Sequence, residues 1–425
     1  MSARLPGYGL AMSTTPTPRP GTGGRLFADP MPTPDETSFQ VDNTSDQYYD
    51  SPYYKAHEND LQPVPSPSSS PPRMQLSDVL SSQLLDPIAA SKRITFHAVG
   101  DTGAAKRSES EATASANEAG VADAMVADVQ AGGADAPAFF FHLGDVVYEF
   151  GQDQYYYDQF YEPFREYDRP IFAIPGNHDG VVYGDSTATP AVPTLQAFLR
   201  NFCAPVPGPA ADAGALVRTT MNQPGVYFTL DAPHVSIIGL YSNVLEGPGV
   251  ISTQGGHYKT INDDQLTFLT GELERLKPAR DAGQTAIVLA THHPPASADA
   301  KHGGGSGLAA DIDSCCAAAG IWPDAVLSGH AHLYERFTRV TSDGRQIPYI
   351  VAGAGGYAAT APRAGLKPPE TWGDYTLVAA PIVAYGYLTA SVDLAARTLT
   401  FVYHPSDPSV AGDQVTIDLA AHTLR

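Results

Sequence analysis

Side chains able to hold a metal or move a proton gather directly after five short apolar runs. Asp101 follows RITFHAVG, and Asp145 and Tyr148 follow AFFFHLG. Asn177, His178 and Asp179 follow PIFAIPG, His292 and His293 follow TAIVLAT, and His330 and His332 follow DAVLSG. The donors are carboxylate, phenol, carboxamide and imidazole, with no thiolate among them. Such a set suits iron, manganese or zinc in a reactive site better than a structural zinc cage. Three or four ligands serve one metal, so seven or more point to two metals that share a carboxylate. Two ions ~3.5–4 Å apart can clamp a phosphoryl group and make a nucleophile of water near neutral pH. His330 and His332 are separated by one residue and so point to the same side of an extended chain, where each can reach a different metal.

The elements that must place these groups are legible in the same runs. Each run is short, rich in β-formers and apolar throughout, which reads as a strand buried on both faces. Helical patterns lie between some of them: NEAGVADAMVADVQAG after the first, DQYYYDQFYEPFREY after the second, and NDDQLTFLTGELERLK before the fourth. The last places Leu266, Leu269, Leu273 and Leu276 on one stripe, with Asn262 or Asp263 at the N-cap. Alternating strands and helices imply an α/β sheet. GVYFTLDAPHVSIIGLYSN and YGYLTASVDLAARTLTFVYH instead read as hairpins. The fold class expected is therefore α/β, with two mixed sheets packed as a sandwich and helices outside. Ligand sites in α/β sheets form beyond the carboxyl ends of strands, where the donors lie.

A Gly-Asp after a strand is usually a turn, and a tyrosine there usually packs. The ordered set carries more than its members. GDTG, GDVVY, GNHD, THHP and GHAHLYER, in this order, resemble the calcineurin-like metallophosphoesterases, and among them the purple acid phosphatases. Many members of the wider group have Asp-x-His in the first block. This chain has Gly103 there and supplies Tyr148 downstream, which is the purple-phosphatase pattern. The resemblance spans about residues 92–405. It implies a ferric site of Asp101, Asp145, Tyr148 and His332, and a site for divalent iron, zinc or manganese made of Asp145, Asn177, His292 and His330, with Asp145 bridging. It also implies catalytic roles for His178 and His302 at the substrate, with His293 a further substrate-facing candidate. The activity implied is hydrolysis of phosphate monoesters by a metal-bound hydroxide. A phosphodiesterase on nucleotide or phospholipid-type diesters is the alternative, and a non-catalytic metal-binding interaction protein stands behind both.

Bulk composition limits the partners. With 25 Lys+Arg against 46 Asp+Glu, the net charge is −21. Such a surface repels phosphate backbones and anionic membranes, so an anionic substrate needs a local cation, which bound metal supplies. The expected partner is a small phosphorylated substrate, with no nucleic-acid binding and no membrane span. Cys203, Cys315 and Cys316 form no disulfide framework, and the last two read as buried cysteines of a helix. Residues 1–91 read as a Pro/Ser/Thr-rich, largely disordered tail, and residues 92–425 as the catalytic domain. The first residues lack the apolar core of a signal peptide, so the expectation is a cytoplasmic protein. His97 and His142 fall within strands and read as core, while Asp179 and Glu335 read as local hydrogen-bonding acids. No G-x-x-x-x-G-K-[ST], H-E-x-x-H or G-x-S-x-G occurs. HGGGSG and GAGG read as loops.

Overall fold

The computed structural model describes residues 63–103, 111–133, 135–148, 150–180, 193–216, 218–243 and 249–425. In chain order the strands are β1 Arg73–Gln75, β2 Arg93–Val99, β3 Phe140–His142, β4 Ile171–Ala173, β5 Phe228–Ala232, β6 Val235–Leu240, β7 Ala286–Thr291 and β8 Ala325–Ser328. They continue as β9 Tyr334–Val340, β10 Gln346–Ala352, β11 Glu370–Trp372, β12 Tyr375–Leu377, β13 Gly386–Asp393, β14 Thr398–Pro405, β15 Asp413–Asp418 and β16 Thr423–Leu424. The α-helices are α1 Ser82–Ser91, α2 Glu111–Ala131, α3 Asn177–Gly180, α4 Gln196–Phe202, α5 Asp264–Asp281 and α6 Ser306–Ala319.

One sheet has nine strands in the order β1-β5-β6-β7-β8-β10-β9-β12-β11, and the other seven in the order β16-β15-β14-β13-β2-β3-β4. Both are mixed. In the first, β6, β7 and β8 run parallel; in the second, β2, β3 and β4 do. The expected hairpins form as β5–β6 and β13–β14. The two sheets meet through apolar faces, with the Phe141 and Phe228 rings stacked at 6.1 Å. At Gly239 a Cβ would stand 2.7 Å from Ile174 Cγ2, so a side chain there would force the layers apart. This is the expected α/β sandwich. Helix α5 presents Leu269, Leu273 and Leu276 to the core, with Leu266 half-buried.

Two segments depart from expectation. The stretch 153–167 is not an α-helix: a 3-10 turn at Asp153–Tyr155 leads into a π-helical turn at Tyr157–Tyr161. Pro163 has no N–H to give the carbonyl four residues back and its ring crowds that carbonyl. The Glu162 N–H reaches instead to Tyr157 O at 2.9 Å, five residues back. The second departure concerns the expected tail. Its residues 1–62 lie outside the described ones, but β1 pairs in parallel with β5 at the sheet edge, and Met74, Leu76, Leu80 and Leu85 are buried in the common core. The folded unit therefore begins before residue 92. Its composition hides this, because three residues of edge strand, alternating exposed and buried, carry too little pattern to read.

Candidate metal and phosphate site

The parallel strands of both sheets deliver their carboxyl ends to one edge. The turns there interlock: Asp101 N–H donates to Gly144 O at 2.9 Å, and Gly329 N–H to His292 O at 2.9 Å. Asp101, Asp145 and His330 each turn the chain with a positive φ, of 59°, 53° and 69°. Non-glycine residues hold such angles at a cost of ~1–3 kcal/mol, and they cluster at functional sites. The glycines beside them make the approach possible. A Cβ on Gly144 would stand 2.5 Å from His292 Nδ1, and one on Gly176 would stand 2.1 Å from Asp145 Oδ1.

The side chains form two groups around Asp145. In the first, the Tyr148 hydroxyl donates to Asp101 Oδ1 at 2.8 Å and lies 3.3 Å from His332 Nε2. In the second, Asn177 Oδ1 lies 3.0 Å from both His292 Nε2 and His330 Nδ1. Asp145 sits between the groups: its Oδ2 is 3.4 Å from His292 Nε2, and its Oδ1 accepts from the His178 N–H at 2.9 Å. One donor atom each from Asp101, Asp145 and His292 lie within 4.8 Å of one another. His178 packs its ring on Tyr148 at 4.4 Å. His293 and His302 approach His330 at 4.3 and 4.7 Å between ring centres. Every residue proposed from the sequence is thus brought to one buried site.

Backbone carbonyls select the imidazole tautomers. His292 Nδ1 meets Leu143 O at 2.8 Å, and His332 Nδ1 meets Ala358 O at 2.9 Å. A carbonyl only accepts, so each Nδ1 carries a proton and each ring turns its Nε2 inward. Those nitrogens face the oxygens of Asp145, Asn177, Asp101 and Tyr148. Imidazole nitrogens and oxygens that converge in this way hold either shared protons or a cation between them. The buried Oδ2 of Asp145, which among the described residues accepts no hydrogen bond and has only the ion-pair contact to His292, has the same need. The residues therefore fit a metal.

Burial and neighbouring charges set where protons sit among these groups. Burial raises Asp101 to about 8, with the His292 charge only partly opposing it. Burial would raise Asp145 too, but the charges of His292 and His178 hold it well below the usual carboxylate range. Burial lowers His292, and the Asp145 carboxylate more than offsets this, leaving the imidazole at about 9. Burial, then the Asp101 and Asp145 charges, hold the Tyr148 phenol far above 10. Burial and the surrounding imidazoles push His330 down.

Neighbouring residues hold the site in place. Asp179 accepts from the N–H groups of Val146 and Gly176, and Glu335 from Ala298 N–H, both as expected of local hydrogen-bonding acids. His142 lies between Thr102 Oγ1 and Gly144 N–H, while His97 contacts Tyr167 and Asp128 in the core. The sequence reading missed Ser242, whose Oγ is 2.9 Å from His293 Nδ1, and Asp299, whose carboxylate accepts from His302 N–H at 2.6 Å. Neither stands in one of the five motifs. The triple glycine of KHGGGSG could have pointed to a tightly folded loop, but not to Asp299 as its anchor.

The sequence profile of the calcineurin-like phosphoesterases matches residues 94–334. No curated protein matches the sequence. Among solved structures, similarity extends to a purple acid phosphatase from yellow lupin seeds, at 14% identity and a TM-score of 0.49, over 77% of this chain and 54% of that one. The chain thus spans about half the length of the lupin enzyme. It is also similar to GAP50, the anchor in the inner membrane complex of Plasmodium, at 14% identity and a TM-score of 0.48, over 78% and 91% of the two chains. A dimetal phosphatase from Danio rerio aligns at 12% identity and a TM-score of 0.42, over 76% and 98%. No helix among the described residues is long and apolar enough to cross a membrane.

Proposed function

The chain belongs to the calcineurin-like phosphoesterase family, and from that premise we propose that it hydrolyses phosphate monoesters with two metal ions in the manner of a purple acid phosphatase. The observation that carries this reading is the convergence of carboxylate, carboxamide, phenol and imidazole donors around the buried Oδ2 of Asp145. In this reading Asp101, Asp145, Tyr148 and His332 hold ferric iron, and Asp145, Asn177, His292 and His330 hold divalent iron, zinc or manganese. Such a pair supplies charge that polarises the phosphoryl oxygens and lowers the pKa of a coordinated water.

The chain's own residues supply the remainder. The Leu143 and Ala358 carbonyls keep His292 and His332 turned with Nε2 inward, so loading displaces protons but reorients neither ring. Asp145 is tied through Oδ1 to the His178 N–H, which orients the carboxylate that would be shared by the two ions. His178 presents its imidazole over Tyr148, where it can orient the phosphoryl group and give a proton to the departing oxygen. His302, whose backbone N–H and Nδ1 both face Asp299, and His293, set by Ser242, stand against the His330 ring. They add donors to a phosphate whose charge grows in the transition state.

The test compares an aryl phosphate monoester with the matching diester, on protein loaded with iron plus zinc or manganese, from acid to neutral pH. Faster turnover of the monoester supports the proposal. Preference for the diester replaces it with a phosphodiesterase, and no turnover at two bound metals per chain replaces it with a metal-binding interaction protein.

A further inference from the structure

Tyr148 is gripped by residues that none of the five motifs contains. Gln159, fully buried in the π-helical turn, accepts the Tyr148 N–H at its Oε1 and donates Nε2–H to the Tyr148 carbonyl, each at 2.7 Å. One side chain thus satisfies both backbone groups of a buried residue, as a neighbouring strand would. On the ring itself lies Tyr357, parallel to within 2° at 3.5 Å between centres and almost fully buried. Tyr357 also meets His332 edge-on at 5.0 Å and donates its N–H to Asp101 O at 3.0 Å. It therefore touches all three members of the Asp101–Tyr148–His332 group.

The surrounding backbone gives this arrangement its room. A Cβ on Gly103 would stand 2.8 Å from Gln159 Oε1 and 2.9 Å from Tyr148 Cδ2. A Cβ on Gly355 would stand 2.4 Å from Gly100 O, and one on Gly356, at φ 154°, 2.7 Å from the Glu118 Cα. The GAGG run is thus what lets the chain close over the first strand end and lay Tyr357 on Tyr148. The π-helical turn has a matching role, since it carries Gln159 to the Tyr148 backbone from eleven residues away.

We propose that Gln159 and Tyr357 are positioning residues for Tyr148: Gln159 fixes its backbone, Tyr357 fixes its ring plane, and together they aim the phenolic oxygen at a ferric ion held with Asp101 and His332. The inference rests on Tyr148 being a ferric ligand. An aromatic ring stacked on a tyrosinate also alters its electronic surroundings, so the pair sets the energy of the tyrosinate-to-iron charge-transfer band as well as the retention of iron. At 3.5 Å between centres the two rings lie face to face, a geometry aromatic pairs adopt less readily than an offset or edge-on one, so the backbone that holds Tyr357 imposes the stack. Residues that orient ligands without binding metal change metal affinity by about 10–100-fold when lost.

The experiment loads the full-length chain with ferric iron and records visible absorption, resonance Raman tyrosinate modes and the rate of iron loss to a chelator. Variants are Q159M, which keeps shape and loses both hydrogen bonds, Y357L, which loses the stack, Y357F, which keeps it, and Y148F. Melting temperatures establish that each variant is folded. Support requires a band in the unaltered protein that Y148F abolishes, that Q159M and Y357L shift with about tenfold faster iron loss, and that Y357F leaves in place. If Q159M does not fold, the contrast between Y357L and Y357F decides the ring's part, and Q159E, which keeps the acceptor, decides the backbone clamp. A band abolished by Y148F but unmoved in all folded Gln159 and Tyr357 variants overturns the positioning role alone. A band that persists in Y148F, or none in iron-loaded protein, overturns Tyr148 as a ligand and this inference with it.

Discussion

The Nε2 of His292 lies 3.4 Å from Asp145 Oδ2, while its Nδ1 is 2.8 Å from the Leu143 carbonyl one residue before the Gly144–Asp145 turn. One imidazole therefore ties the end of β7, in the first sheet, to the turn after β3, in the second. The site straddles the sandwich, and its ligand geometry depends on how the sheets pack.

Asp145, proposed as the shared carboxylate, should be the most sensitive single position. Asp145→Asn removes the charge that faces both donor groups but leaves the volume unchanged. We expect metal content to fall below two per chain and kcat to fall by at least ~10²–10³, the loss typical for one electrostatic stabiliser of a transition state. Metal analysis beside steady-state kinetics checks this. Substantial turnover at two metals per chain would remove Asp145 from the bridging position.

His178 should separate proton delivery from metal binding. Its ring packs on Tyr148 and its charge bears on Asp145, while the hydrogen bond to Asp145 comes from its backbone N–H, which survives substitution. His178→Ala is expected to retain both metals and lose ~10²–10⁴ in kcat, the usual contribution of general acid–base catalysis. The loss should shrink for substrates with acidic leaving groups, which need no proton. Equal losses for good and poor leaving groups would make His178 a binding residue.

The stability of metal-free protein should fall as pH rises from about 6.5 to about 8. Burial raises Asp101 to about 8, Asp179 to about 7 and Glu335 to about 8 in the folded chain, and His292 stands at about 9 against an ordinary 6.5. Each binds its proton more tightly folded than unfolded, so each contributes stability at low pH that is lost as pH climbs through its folded value. His142 and His330 are lowered by burial, and their gain with rising pH is complete by about 6.5. Metal replaces the protons at the site, so the gap in melting temperature between loaded and metal-free protein should widen across this window. Calorimetry at pH 6.5 and 8 measures it, and a constant gap would mean that loading does not displace those protons.

Gly103 should tolerate no side chain. Gly103→Ala places a Cβ against Gln159 Oε1, Tyr148 Cδ2 and, at 3.0 Å, the Val147 Cα. Overpacking of this kind costs ~1–3 kcal/mol, and the atoms that must yield include those holding Tyr148. Denaturant unfolding of the variant should show that loss. A neutral result would mean that the π-helical turn moves freely.

Much of this site was legible because its residues lie within motifs of four to eight residues at strand ends, where a buried apolar run and an abrupt polar stop are local signals. Asp101, Tyr148 and His332 could be grouped from sequence only through resemblance, since 47 residues separate the first pair and 184 the second. What escaped depends on long-range register. Gln159 reads as one residue of an amphipathic helix until Pro163 widens the turn. Tyr357 reads as a loop residue until the glycines before it are seen to close over Gly100. The edge strand β1 is three residues long and owes its place to pairing with Thr229–Asp231, which no local pattern announces.

Away from the site, the Arg280–Asp324 pair should govern stability without touching chemistry. Arg280 Nη2 lies 2.9 Å from Asp324 Oδ1, and both residues are buried. Asp324 also accepts the Ile287 N–H at 2.9 Å, so it joins the end of helix α5 to the start of strand β7. Burial would raise this carboxyl, but its His422 hydrogen bond and the Arg280 charge hold it below its ordinary value. Removing one partner of a buried ion pair costs ~3–5 kcal/mol, because the other charge is left uncompensated. Arg280→Ala should therefore lower the unfolding free energy by about that amount, while the folded fraction keeps its kcat. The double variant Arg280→Met with Asp324→Leu should recover part of the loss, since an apolar pair leaves no buried charge, although Ile287 N–H then loses its acceptor. Recovery beyond the parent's stability would mean that the ion pair opposes the fold, and a single variant as stable as the parent would mean that solvent reaches the pair.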